Sequence, residues 1–168
     1  MPESLFNSVV NDNLEILNVE IGAGAGNFGE KFFPKCYLTD IDEQYRQQVH
    51  YICSGFDLPW PDSRFDLIIS CNPWNYGFIN LDEGSLLLLE FYRVLKRPGK
   101  IIIIGHDSNP YCSENQIRRT VEHLETKGVN FSITLEKISS CSADYPNHIF
   151  SRADGGRTIP NQRLILER

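Results

Sequence analysis

The chain has 168 residues, 41% of them hydrophobic and 23% charged, with 12 glycines and 9 prolines, which excludes a disordered or collagen-like polymer. A chain of this length buries about 70% of the surface its unfolded form exposes, so one domain spanning 1–168 needs no metal or disulfide staple. Sixteen Lys and Arg against 22 Asp and Glu leave a net charge of -6, which repels free nucleic acid at long range.

No apolar run approaches the ~20 residues of a membrane span, and Met1-Pro2-Glu3-Ser4-Leu5 has neither the basic nor the apolar region of a leader. The chain reads as soluble and cytoplasmic. Cys36, Cys53, Cys71, Cys112 and Cys141 form no metal-binding spacing, and their odd number and scatter suit reduced thiols.

In chain order, Leu14 to Ile21 is an apolar run that stops at glycines, as a buried parallel strand does. Asn27 to Phe33 has room for about two helical turns. Cys36 to Thr39 predicts a second strand, Asp42 to Gln48 a short helix and Val49 to Cys53 a further strand. The prolines of Leu58-Pro59-Trp60-Pro61 forbid regular pairing, and Phe65 to Cys71 is the next buried strand. Gly84 to Leu95 predicts a leucine-rich helix. Arg93, Lys96 and Arg97 suit its negative end, and Pro98-Gly99 is expected to stop it.

Lys100 to Ile104 predicts a central strand. Ser113-Glu114-Asn115-Gln116 has capping-box form ahead of Ile117, Val121 and Leu124 at helical spacing. Phe131 to Glu136 and Arg163 to Glu167 supply two closing strands, predicted as an antiparallel pair at one edge. Alternating strands and helices imply an α/β fold, a mostly parallel sheet with helices on both faces. In such sheets ligands sit beyond the carboxyl ends of the strands, where the strand order reverses.

The loop after the first strand reads Glu20-Ile21-Gly22-Ala23-Gly24-Ala25-Gly26-Asn27. Glycines permit a tight turn and close approach of a ligand, and the following helix end offers unpaired N–H groups. A structural turn explains such glycines when they stand alone. Asp40, twenty positions after Glu20, ends the second strand where a carboxylate can accept both hydroxyls of a ribose. Two ligands compete at this point: a nicotinamide dinucleotide, or a nucleoside bearing an amino acid. Asn27 stands where the dinucleotide fingerprint needs its last glycine, and Glu20 puts negative charge near a pyrophosphate.

At these residues the chain resembles the class I S-adenosylmethionine-dependent methyltransferases. Their E/D-x-G-x-G-x-G segment is similar to Glu20 through Gly26, and their acid after the second strand to Asp40. Their LPFPD-x-SFDLV-x-S segment is similar to Leu58 through Ser70, and their RVLKPGG turn to Arg93 through Gly99. The resemblance covers roughly Leu14 to Gly105. It implies a three-layer Rossmann-like sandwich with a seven-stranded, mostly parallel sheet carrying an antiparallel edge strand, and S-adenosylmethionine as cofactor. It further implies that Gly22, Ala23, Gly24 and Gly26 wrap the methionine part, with Glu20 near its ammonium group. Asp40 would hold the ribose hydroxyls and Ile41 would lie on the adenine face, with Phe56 and Asp57 in the loop at the adenine edge. Ser54 stands where the family carries an acid, which puts affinity in question.

Methyl transfer from a sulfonium is an in-line displacement that needs alignment more than a dedicated acid. Asn72-Pro73-Trp74-Asn75 partly matches the D/N/S-P-P-Y/F segment of amino-methylating relatives, so Asn72 and Trp74 are candidates for orienting an acceptor and Asn72 also for contacting the cofactor; the alternative is a turn at Asn72-Pro73 with Trp74 or Tyr76 packing over the cofactor. His106, after the fifth strand, is a candidate general base, with Asp107 beside it. Tyr111, Tyr145 and His148 would line an acceptor pocket if the segment 139–160 folds over the sheet edge. Only about a dozen residues precede the first strand and no inserted lid is visible, so the acceptor site is expected to be open. Such a site suits a macromolecule, or a small molecule covered by a partner or a second subunit. Arg118, Arg119 and Lys127 are either a dock for an acidic partner or a solvated face. A catalytically degenerate binding or scaffold module is the rival reading of the whole chain.

Overall fold

The computed structural model describes residues 15–138, 144–150, 156 and 158–168. Its apolar runs pair into one seven-stranded sheet of order β3-β2-β1-β4-β5-β7-β6. The elements are β1 (Asn18–Glu20), α1 (Phe28–Phe32), β2 (Cys36–Asp40), β3 (Tyr51–Ile52) and β4 (Phe65–Cys71), then α2 (Leu81–Val94), β5 (Leu95–Gly105), α3 (Glu114–Glu125), β6 (Ser132–Lys137) and β7 (Gln162–Glu167). Single 3₁₀ turns lie at Glu43–Tyr45 and Pro110–Cys112. β1, β2, β3, β4 and β5 pair in parallel, while β7 runs antiparallel to both β5 and β6. The expected α/β sheet and its antiparallel closing pair are therefore present. The reversed strand, β7, lies one place in from the edge.

Two apolar clusters cover the two faces. Val19, Ile68, Ile101, Ile103, Leu164 and Leu166 meet Leu87, Leu88 and Phe91 of α2 and Ile117, Val121 and Leu124 of α3. On the other face Ile69 and Ile104 meet Phe28 of α1 together with Tyr145 and Phe150. Alternation along β4 and β5 feeds both faces, which is why these strands read as continuous apolar runs. Helix α2 forms because Asn80 accepts the Glu83 N–H at 2.8 Å and residues 84, 87, 88, 91 and 94 recur on the buried side. Each fully buried leucine or phenylalanine there stabilises by about 1.5–3 kcal/mol.

Several boundaries depart from the sequence reading. β1 is the three residues Asn18–Glu20, because its register with β2 begins at Asn18 opposite Cys36. The expected start at Leu14 lies outside the described residues. The predicted helix 42–48 is only the turn Glu43–Tyr45, and β3 has two residues. Helix α2 begins at Leu81 and ends at Val94 before reaching Pro98-Gly99, because Leu95 turns extended and pairs with Phe65. Pro98 and Gly99 lie within β5. The helix end is met by Arg168, which donates to the Tyr92 and Leu95 carbonyls at 2.8 and 2.6 Å. Arg93 and Lys96 serve elsewhere: Arg93 pairs with Glu90 and Asp62, and Lys96 pairs with Asp66. Ser113 precedes α3 without a side-chain cap, so the predicted capping box does not form. No helix among the described residues is long and apolar enough to cross a membrane.

Candidate functional site

The strand order reverses between β1 and β4, and the loops leaving their carboxyl ends diverge there. They enclose a cavity of about 360 Å³, within the size range of small-molecule sites. One wall is Ile21 to Ala25, Asp40 to Asp42 with Gln44 and Tyr45, and Cys53 to Phe56; the other is Cys71, Asn72, Trp74, Asn75 and Tyr76.

The glycine wall is held by backbone. Ala23 N–H donates to the Thr39 carbonyl at 2.8 Å, and Gly26 N–H to the Ala23 carbonyl at 2.9 Å. Gly22 and Gly24 take φ of 69° and 57°, the left-handed region where a side chain would be strained. Asp40 stands at the end of β2 and closes this wall. One carboxylate oxygen accepts the Gly24 N–H at 2.9 Å and the other accepts the Asp42 N–H at 2.9 Å. Each oxygen keeps a free lone-pair direction, so the carboxylate remains an acceptor for two hydroxyls. Ile41 beside it is 69% exposed, an apolar surface without a protein partner to cover it. These features fit a ribose and the face of a flat base.

Among the expected cofactor residues, Gly22, Ala23, Gly24, Asp40, Ile41, Phe56 and Asn72 line the cavity. Glu20 does not. Its side chain lies on the α1 face of the sheet, 2% exposed, and its carboxylate accepts the Gly29 N–H at 2.6 Å. Burial raises its pKa from 4.5 to about 7, partly offset by that hydrogen bond. Strand alternation is the cause, since Val19 points to the α2 face and Glu20 to the opposite one. Gly26 closes the turn outside the lining, and Asp57 is exposed, its N–H on the Ser54 carbonyl at 3.2 Å. Ser54 does line the cavity, and its hydroxyl accepts the Phe56 N–H at 3.1 Å.

Among the expected catalytic residues, Asn72 and Trp74 share the second wall, while His106 is not part of the lining. The His106 ring is held from both sides. Nδ1 lies 2.7 Å from Ser108 Oγ and 3.2 Å from Asp107 Oδ1, and Nε2 lies 3.4 Å from Asn161 Nδ2. Asn72 has φ of 48°, donates its side-chain N–H to the Thr158 carbonyl at 3.2 Å, and keeps Oδ1 buried without a partner. Trp74 is 50% exposed, its ring 5.4 Å from that of Tyr111. Tyr145 and His148 face away from the cavity. They pack against Phe28, at 4.7 and 5.3 Å between ring centres, so the aromatic core on the α1 face takes them. Arg118 pairs with Glu114 at 2.9 Å on its own helix.

Sequence reasoning placed Tyr76 only as packing over the ligand and passed over Gln44, Tyr45, Cys53 and Cys71. The signal for Cys71 was available, because the last residue of β4 must stand at the carboxyl edge. Tyr45 had no such signal, since its place depends on the turn Glu43–Tyr45 replacing a helix. Burial holds the Cys53 thiol above its ordinary range, so this cysteine is not a ready nucleophile.

The sheet order, the crevice and the glycine wall define a class I Rossmann-like α/β domain. Residues 19–103, just over half of the chain, match the family described as a methyltransferase domain, and the chain belongs to that family. Solved structures share the fold across nearly the whole chain. An S-adenosylmethionine-dependent methyltransferase from Archaeoglobus fulgidus aligns at 12% identity over 98% of this chain and 91% of its own, with a TM-score of 0.59. One from Thermotoga maritima, described as a possible histamine N-methyltransferase, aligns at 14% identity over 98% and 96%, with a TM-score of 0.54. A geranyl diphosphate C-methyltransferase from Streptomyces coelicolor, solved with Mg²⁺, geranyl diphosphate and S-adenosylhomocysteine, aligns at 14% identity over 99% and 77%, with a TM-score of 0.57. No curated protein matches the chain by sequence.

Proposed function

We propose that this chain is an S-adenosylmethionine-dependent methyltransferase acting on a nitrogen or oxygen acceptor at an open site. One observation carries the reading. Asp40 and the glycine wall are joined through Gly24 at one end of a cavity whose other end is the Asn72–Tyr76 loop. When bound, S-adenosylmethionine supplies a methyl group on a positively charged sulfur. Asp40 accepts the ribose hydroxyls, Ile41 and Phe56 give apolar contact to the adenine, and Gly22 to Gly24 follow the methionine part. The carboxylates of Asp40 and Asp42 suit a cationic ligand. The half-exposed Trp74 ring, with Asn72 beside it in the same wall, orients the acceptor along the line of displacement.

His106 sits apart from the lining, and the described lining holds no other histidine and no lysine. The proposed acceptor is therefore one that reacts without a strong base in the wall. The open mouth suits a macromolecular acceptor, or a small molecule covered by a partner or a second copy of the chain. The same placement of His106 favours a second reading, a binding module without turnover.

Calorimetry with S-adenosylmethionine, S-adenosylhomocysteine and NAD tests the reading. The two adenosyl ligands bind and NAD does not. Asp40→Ala removes up to two charge-assisted hydrogen bonds to the ligand and weakens binding by about tenfold or more. A folded Asp40→Ala protein with parental affinity overturns the ribose placement. Methyl transfer from labelled donor into cell extract, followed by mass spectrometry, separates the enzyme from the binding module.

A further inference from the structure

The glycine loop and the Asn72–Gly77 loop face each other across the cavity, and one side chain joins them over 55 residues of sequence. Tyr76 leaves the acceptor wall and crosses to the donor wall, where its hydroxyl donates to the Ile21 carbonyl at 2.6 Å. The same oxygen lies 2.9 Å from Ser70 Oγ. Its ring covers Gly22 so closely that a Cβ there would sit 2.4 Å from the Tyr76 ring. Gly22 is therefore glycine because of Tyr76 as well as because of its φ of 69°. The loop that carries Tyr76 is itself unusual backbone, with φ of 48° at Asn72, 60° at Asn75 and 127° at Gly77. Such a conformation persists only where surrounding contacts hold it. Those contacts are Asn72 N–H to the Ile104 carbonyl at 2.8 Å, Asn109 Nδ2 to the Pro73 carbonyl at 3.0 Å, and Phe78 N–H to the Tyr111 carbonyl at 2.8 Å. All three fix the loop to the β5 side. Tyr76 is the side-chain tie in the other direction.

We propose that Tyr76 is a positioning residue that ties the glycine loop to the Asn72–Gly77 loop, so that a ligand in the donor half of the cavity fixes the acceptor half as well. The proposal rests on the donor and acceptor reading of the two walls. Its physical content is a coupling free energy. A ligand that presses on the Tyr76 ring restricts the loop that presents Asn72 and Trp74, and by linkage an acceptor held by that loop tightens the donor to the same degree. Burial pushes the phenol upward in pKa, so the hydroxyl stays a donor throughout the working pH range.

Hydrogen exchange on Tyr76→Phe tests this, because the variant keeps the ring over Gly22 and loses only the hydroxyl. In the ligand-free protein, the amides of Ala23 and Gly24 on one loop and of Asn72 and Phe78 on the other accelerate together, by roughly three- to tenfold. Ser70→Ala, which removes the other partner of the hydroxyl, leaves Ala23 and Gly24 at parental rates. Acceleration confined to Asn72 and Phe78, or an equal effect of Ser70→Ala on all four amides, overturns the tie. With saturating S-adenosylhomocysteine as probe, all four amides slow in the parent, whereas in Tyr76→Phe the slowing at Asn72 and Phe78 is lost. Equal slowing in both proteins overturns the coupling. Failure of the probe to bind the parent in calorimetry overturns the methyltransferase reading instead, and the ligand-free comparison then decides the tie by itself.

Discussion

Glu20 is buried to 2% exposure, and Gly29 N–H is the hydrogen-bond donor its carboxylate has among the described residues. Desolvation therefore dominates, and the folded-state pKa is raised from 4.5 to about 7. Between those values the folded protein keeps a proton that the unfolded chain has released. Stability consequently falls as pH rises through the window and stays at the lower level above it. The loss amounts to about 3 kcal/mol, at 1.36 kcal/mol per unit. Glu20→Gln offers the Gly29 N–H an amide oxygen in place of the carboxyl oxygen, with no proton to lose. Urea unfolding at pH 5 finds the two proteins within about 1 kcal/mol of each other, and at pH 8 finds the variant more stable by about 1–3 kcal/mol. Every other titrating group is common to both proteins and cancels in the comparison, His148 included. A difference that does not change with pH would show that Glu20 is ionised and satisfied in the fold. The same residue shows what a one-line pattern of acid and glycines does not carry: strand alternation aims Glu20 at α1, outside the cavity lining.

At the scale of elements, caps show how local and tertiary signals divide. Ser113 has the sequence form of a capping box, yet it makes no side-chain cap, and Gln116 lies 3.4 Å from the Ile79 carbonyl and 3.2 Å from Arg119 instead. Asn80, with Glu83 three positions on, carries a similar signal that the sequence reading passed over, and it caps α2 at 2.8 Å. Asn80→Ala therefore costs about 1 kcal/mol, a fall of about 2–4 °C in the thermal midpoint, while Ser113→Ala leaves the midpoint within about 1 °C. Equal shifts would mean that the two helix starts are equivalent. Strand β4 was legible to the residue because both its faces are buried and a continuous apolar run has one explanation. The mostly parallel sheet with its antiparallel closing pair followed from the alternation of strands and helices, whereas the strand order was not read from the sequence. The short elements between β1 and β4 were not legible. Their lengths are set by the register of β2 and β3, which begins at Thr39 opposite Tyr51, and a single sequence does not encode register locally. The site divides the same way. Gly22, Gly24, Asp40 and Asn72 follow from strand ends and turn chemistry, whereas Tyr45 and the crossing of Tyr76 depend on how two distant loops meet. His106 follows β5 at the carboxyl edge of the sheet as read, but its ring is held by Ser108 and Asn161 outside the cavity lining, a placement the sequence does not carry.

For the molecule as a whole, the described residues cover the two faces of the sheet by different means. Helices α2 and α3 cover one face with 14 and 12 residues. On the other, the five-residue α1 shares the task with Tyr145 and Phe150. Phe28 is the keystone there. It is 1% exposed, with Phe32, Tyr145 and Phe150 rings at 5.3, 4.7 and 5.7 Å, and it directly follows the glycine loop through Asn27. Phe91, 0% exposed, has the same chemistry in the middle of α2, away from the cavity lining. Truncating either phenylalanine to alanine costs about 3–5 kcal/mol, which a domain with 5–15 kcal/mol of stability can survive. Their response to ligand differs. At one hundred times its dissociation constant, S-adenosylhomocysteine stabilises the parent by about 2.7 kcal/mol, or roughly 5–10 °C. Phe91→Ala keeps that increment because the cavity walls are untouched. Phe28→Ala loses most of it at the same ligand concentration, because the helix that ends the glycine loop has lost its anchor and the loop must be ordered at the expense of binding. Phe28→Leu, which keeps an apolar anchor, recovers part of the increment. Thermal scans of the four proteins with and without the ligand check this, and equal increments in all of them would place the rigidity of the glycine wall in its bonds to Thr39, Asp40 and Tyr76 alone.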